Sequence, residues 1–168
     1  METLTAEQGR DRSAIDDKYK WNLEDIFADA SAWRAAKAVA VSDLPVLRGF
    51  QGRLGASAAV LADALEALWR LDKEIARLSV YASTLADQDT RAAGPQGMQQ
   101  EMQQLSADFK AQIAFVEPEL LRTPPSVLDA FLASEPRLAA YAFHLRDIAR
   151  RAAHTLTDAE ETLLADVS

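Results

Sequence analysis

Apolar residues recur along most of this chain at steps of three and four. From about Ser57 to Gln88 they fall at Leu61, Ala64, Leu68, Leu71, Ile75, Leu78, Ala82 and Leu85, with Leu65 and Trp69 widening the stripe. Asp63, Glu66, Arg70, Lys73, Glu74 and Arg77 fill much of the remainder. Such spacing keeps one face of a 3.6-residue helix apolar, and it predicts a single helix about 45 Å long. A second stripe runs through Met98, Met102, Leu105, Phe109, Ile113, Val116 and Leu120. Between the two, DQDTRAAGPQG (residues 87–97) supplies a turn at Gly94-Pro95. Helices over about 57–88 and 95–122 with so short a linker fold back as an antiparallel hairpin. The methionines sit at helical spacing, which reads as core rather than as a binding groove.

The remaining pattern is helical too. YKWNLEDIF (residues 19–27) is dense in large apolar groups, with Asn22 as an N-cap and Trp21, Leu23, Ile26 and Phe27 as core anchors. Ser31 caps a helix that carries Trp33, Ala36, Val39 and Ala40 on one side, and Pro45 ends, kinks or restarts it. Gly49, Gly52 and Gly55 then punctuate a short connection. Pro118 predicts a kink or break near Phe115–Glu117. After TPPS (Thr123–Ser126), a short helix runs from about Pro125 to Ala133. Pro136 opens another that buries Leu138, Tyr141, Ala142, Leu145, Ile148 and Ala149. In HTLTDAEETLLADVS, Thr157 and Glu160 form a capping box for a further helix start, with Leu163, Leu164 and Val167 on its apolar face. No segment has the period of a strand. The expected fold is all-α and bundle-like, a long antiparallel hairpin with shorter helices. Its organisation reads as a mobile tail over 1–17, a helical domain over 18–122, and a segment over 123–168 that leads onward.

Composition adds limits. With 168 residues and 49% hydrophobic content the chain can bury a core. A formal net charge of −8 argues against nucleic acid, since an acidic surface repels phosphates. There is no cysteine, which removes disulfides and thiolate metal sites and fits a reducing cytosol. The first residues lack the apolar core of a secretory signal, and no stretch approaches the roughly 18 apolar residues of a membrane span. A cytoplasmic location is expected.

Groups for chemistry are sparse. The two histidines, His144 and His154, lie ten apart and cannot form the i, i+4 pair of a helical zinc site. Asp147 lies one turn from His144 and reads as a surface neighbour. Glu117 and Glu119 flank Pro118 and could share acid–base work, but a solvated helix kink explains them as well. The residues alone assign no catalytic, cofactor-binding or metal position.

The order of four elements resembles the oligoendopeptidase F family. YKWNLEDIF is similar to its W-x-L-x-x-I/L-aromatic opening, YASTLADQDTRAAG to its Y-x-x-x-L-x-x-x-D-T segment, and FVEPELL to its P-E-L-L element. LRDIARRAAHTLTDAEETLLADVS resembles the R-x-x-x-H-x-L-S-x-x-E-E-x-L-L-A stretch that leads into the catalytic region. The resemblance spans Tyr19 to Ser168. It implies a zinc metallopeptidase of short peptides whose H-E-x-x-H ligands are absent from these residues, so the chain is expected to be inactive alone. It further implies a non-catalytic helical region that walls a substrate channel, with zinc in a catalytic region elsewhere. The implied partners are the remainder of the same polypeptide, oligopeptide substrates, and a second copy docked on an exposed face. The alternative expectation is a free-standing helical interaction domain without enzymatic activity.

Overall fold

Every regular element among the described residues, 15–152 in this computed structural model, is helical. Six α-helices follow one another: α1 (Ala30–Arg48), α2 (Ala58–Gln88), α3 (Ala93–Ile113), α4 (Val116–Arg122), α5 (Pro125–Ser134) and α6 (Ala142–Ala152). Short 3₁₀ turns cover Asp17–Tyr19, Leu23–Asp25 and Pro136–Tyr141. The all-α expectation holds. His154 and the capping box of Thr157 and Glu160, with Leu163, Leu164 and Val167, lie outside the described residues.

The chain divides into two compact units, and the division falls inside helices. Of the described residues, one takes 15–44 together with 70–111; the other takes 45–69 together with 112–152. The first unit buries Phe27, Trp33, Ala40 and Leu44 with Leu71, Ile75, Leu78, Tyr81, Ala82 and Ala86, and the face of α3 formed by Met98, Met102, Leu105 and Phe109. The four-residue connection after α2 returns α3 antiparallel to it, as the pattern predicts. Both methionines are core. Trp33 has no exposed surface, and its indole N–H donates to the Leu78 carbonyl at 2.9 Å. Phe27 meets Tyr81 edge-on, with centroids 5.4 Å apart, beneath the Arg77 guanidinium at 4.3 Å. The second unit closes around Leu54, Leu61, Ala62, Ala64, Leu65, Leu120, Leu128, Leu138, Leu145 and Ile148. Within it α4 and α5 both pack on α6.

Several local expectations change. Asp29, not Ser31, starts α1: its carboxylate accepts from the Ala32 amide at 2.8 Å and its carbonyl from Trp33, because a charged acceptor suits the positive end of the helix better than a hydroxyl. Val39 is exposed, since the buried line of α1 runs Trp33, Ala40, Leu44, Leu47. Pro45 does not end α1, which continues to Arg48 with Leu44 and Leu47 buried on either side. Trp21 is exposed; of its segment only Phe27 is fully buried, while Asn22 caps the turn at Leu23–Asp25. Trp69 also remains partly exposed. Gly94 and Pro95 lie in the first turn of α3 rather than in the connection, where proline costs no helical hydrogen bond. The turn is made instead by Asp89, whose carboxylate accepts from the Arg91 amide at 2.9 Å. Ser57 caps α2 through the Val60 amide at 3.2 Å.

Candidate functional site

Glu117, Glu119, His144 and Asp147 all belong to the second unit, and the break between α3 and α4 sets the two glutamates. Helix α3 stops at Ile113, and α4 restarts at Val116 with Pro118 in its first turn, where backbone donors have no helical partner in any case. That restart sends the two glutamates beside Pro118 to different tasks. Glu117 is exposed and pairs with Arg151 near the end of α6. Glu119 is half-buried and turns to the connection between α1 and α2, accepting from the Gly52 amide at 2.8 Å and the Leu54 amide at 2.6 Å. Gly52 has φ of 76°, the left-handed region that only glycine adopts at little cost. The Thr123 hydroxyl donates to the Glu119 carbonyl at 3.0 Å, closing the end of α4. With both oxygens so engaged, Glu119 is not arranged as a shared-proton partner of Glu117.

His144 and Asp147 are likewise drawn apart. The His144 ring is exposed and lies edge-on to Trp69, with centroids 6.4 Å apart. Asp147 accepts from Arg150 at 2.7 Å and from Arg151 at 3.1 Å. The Arg150 guanidinium, with Arg151 behind it, holds the Asp147 carboxyl below the usual carboxylate range. Glu117, and then Asp147, raises the Arg151 guanidinium above its ordinary value. A second guanidinium gathers three carboxylates: Arg137 reaches Asp63 at 2.7 Å, Glu66 at 3.2 Å and Glu135 at 3.0 Å. These contacts tie the turn before α6 to α2. The hydrogen bond from Arg137 holds Glu135 below its ordinary value.

Among the described residues no three His, Asp or Glu side chains converge as a metal site. Open concavities lie among the described residues of the first unit. A notch of about 300 Å³ lies between α1 and α2, lined by Ala36, Val39, Ala40, Leu71 and the Asp43–Arg70 pair at 3.2 Å. A shallower groove of about 580 Å³ runs between α2 and α3, lined by Ser79, Val80, Ser83, Met102, Gln103 and Lys110 among others. Neither gathers an acid, a base and a nucleophile.

Comparison with known proteins gives this arrangement a family. The sequence model described as Oligopeptidase F matches residues 119–168. Group B oligopeptidase PepB of Streptococcus agalactiae is 34% identical over 157 residues, which are 94% of this chain and 26% of that protein. The chain matches the N-terminal region of the oligoendopeptidase F family. Oligopeptidase PepF of Bacillus subtilis agrees, 30% identical over 99% of this chain and 25% of its own length. A candidate peptidase of Chlamydophila abortus has a solved structure that superposes with a TM-score of 0.77 at 28% identity, over 93% of this chain and 26% of that one. Oligoendopeptidase-F of Enterococcus faecium shares the fold, with a TM-score of 0.68 at 23% identity over 82% of this chain and 27% of that one. The chain thus spans about a quarter of the length of the oligoendopeptidase F relatives it matches. Among the described residues no helix is long and apolar enough to cross a membrane.

Two roles escaped the sequence. Glu119 reaches amides 65 and 67 residues away, and no local pattern announces such a bond. The Arg137 hub left a faint trace in the i, i+3 acidic pair Asp63 and Glu66, which share one face of α2.

Proposed function

We propose that this chain is the non-catalytic, N-terminal helical region of a zinc-dependent oligopeptidase, and that it walls the channel through which short peptides reach the catalytic centre. The carrying observation is the extent of the match: nearly all of this chain aligns with about a quarter of each relative named as an oligopeptidase. On this reading the zinc and its general base lie in residues outside this chain, the partner is the remainder of the same polypeptide, and the location is cytoplasmic. A channel of packed helices admits an extended peptide and excludes a folded protein by width alone. Residues such as Glu119 and Arg137 then serve catalysis only by holding the wall in shape.

The test is a length series of peptide substrates, run with the full-length polypeptide, with the same polypeptide lacking residues 1–152, and with residues 1–168 alone in the presence of zinc. The expected result is hydrolysis of short peptides by the first, a relaxed size limit or lost activity in the second, and none by the third. Hydrolysis by residues 1–168 alone, removed by His144→Ala, would overturn the reading. So would an unchanged size limit without residues 1–152.

A further inference from the structure

We propose that the connection between α1 and α2 is an anion-binding nest whose anion is supplied by the chain itself, as the Glu119 carboxylate, and that this contact latches the connection onto α4. Two sets of amides stand out in the loop. Those of Gly49, Phe50, Gln51, Arg53 and Ala56 each reach the backbone carbonyl three residues back. Those of Gly52 and Leu54, alternate residues on the chain, instead converge on one carboxylate, one amide per oxygen, at 2.8 and 2.6 Å. Alternate amides aimed at one point, with a left-handed residue between flanking turns, form the concavity that binds anions elsewhere.

Charge-assisted bonds of this kind are shorter and stronger than those between neutral groups. Two features show what the latch holds. Leu54, which donates one of the amides, is 1% exposed and belongs to the core of the second unit. Leu120, next to Glu119, is fully buried in the same core. The latch therefore fastens two core leucines that lie far apart in sequence. A Cβ placed on Gly52 would meet nothing within 4 Å, so its glycine serves the backbone angle and not a close approach. The nest recognises a carboxylate by its two oxygens, irrespective of the rest of the molecule. Removing the Glu119 side chain leaves a site of the right chemistry for a small carboxylate such as formate.

The experiment is chemical rescue in the full chain, read by amide hydrogen exchange at Gly52 and Leu54. Glu119→Ala is expected to speed exchange at both amides on the order of tenfold or more, with exchange in α3 unchanged. Formate is expected to restore protection in a saturable way, while chloride at equal ionic strength does not. Unchanged exchange in Glu119→Ala would overturn the proposal, as would equal effects of formate and chloride. If Glu119→Ala does not fold, Glu119→Gln decides: it keeps the shape but replaces one acceptor oxygen with a donor. Faster exchange at one or both of the amides then supports the latch, and unchanged exchange at both refutes it.

Discussion

Trp33 is fully buried and its one polar side-chain atom is satisfied by the Leu78 carbonyl, so phenylalanine in its place removes that N–H together with part of the ring volume. Trp33→Phe is expected to cost about 1–2 kcal/mol from the lost hydrogen bond and the thinner filling of its site. A shift in the urea midpoint at constant slope would register it. Tyr81 makes a second prediction. Burial, reinforced by Asp29 and Glu24, raises its phenol above the ordinary 10.0. A raised folded value means that the stability tied to its proton is complete below pH 10 and is lost as pH climbs through the folded value. In a Tyr19→Phe, Tyr141→Phe background the ultraviolet signal of phenolate reports Tyr81 alone, and its midpoint is expected above 10.0 in the folded chain and near it in denaturant. At this scale the sequence was half legible. Trp33, Leu78 and the methionines could be read as core because their spacing repeats. Trp21 and Val39 could not be read as exposed, because hydrophobicity alone does not say which side of a short helix finds a partner.

Helices α1 and α2 meet through a turn whose shape depends on Gly52. Because nothing lies within 4 Å of a methyl group placed there, Gly52→Ala tests backbone angle without a clash. The expected cost is about 1 kcal/mol, measured by denaturant unfolding. The turn before α6 depends on charge instead. Arg137 holds Glu135 below its ordinary 4.5, so the contribution of that pair is full above the ordinary value and fades as pH falls through the lowered one. Arg137→Gln is expected to flatten the fall in stability as pH drops below the ordinary 4.5 of Glu135, visible as denaturant midpoints that converge with wild type at the acid end. Elements were the most legible level of the sequence. The heptad steps of α2 and the break near Pro118 were plain, because periodicity and proline act locally. The caps were less so: Asp29 outcompeted Ser31, and Asp89 made the turn that Gly94-Pro95 was expected to make, since each contest is decided by which acceptor the folded backbone meets.

For the molecule as a whole, the division into two units cuts three helices, α1, α2 and α3, and neither unit is a continuous stretch of chain. Leu138 is fully buried in the second. Leu138→Ala is expected to cost about 2–5 kcal/mol. Hydrogen exchange should rise chiefly in residues 45–69 and 112–152, with 70–111 less affected; an equal rise everywhere would mean that the two cores open together. This division was invisible in the sequence, because the apolar stripe of α2 passes from one core to the other without changing its period. Family membership was legible because the motifs keep their order along the chain. The nesting also has a consequence for synthesis. A ribosome releases residues 15–44, then 45–69, and only afterwards 70–111, so the first core can close while the opening stretch of the second waits as a tethered excursion. That stretch already carries Leu54 and Leu61, and it remains without its partners until α4, α5 and α6 emerge. The nascent chain thus exposes half of its second core for the time taken to make about eighty more residues, at a few seconds per few dozen, and this interval is when a chaperone would have most to hold.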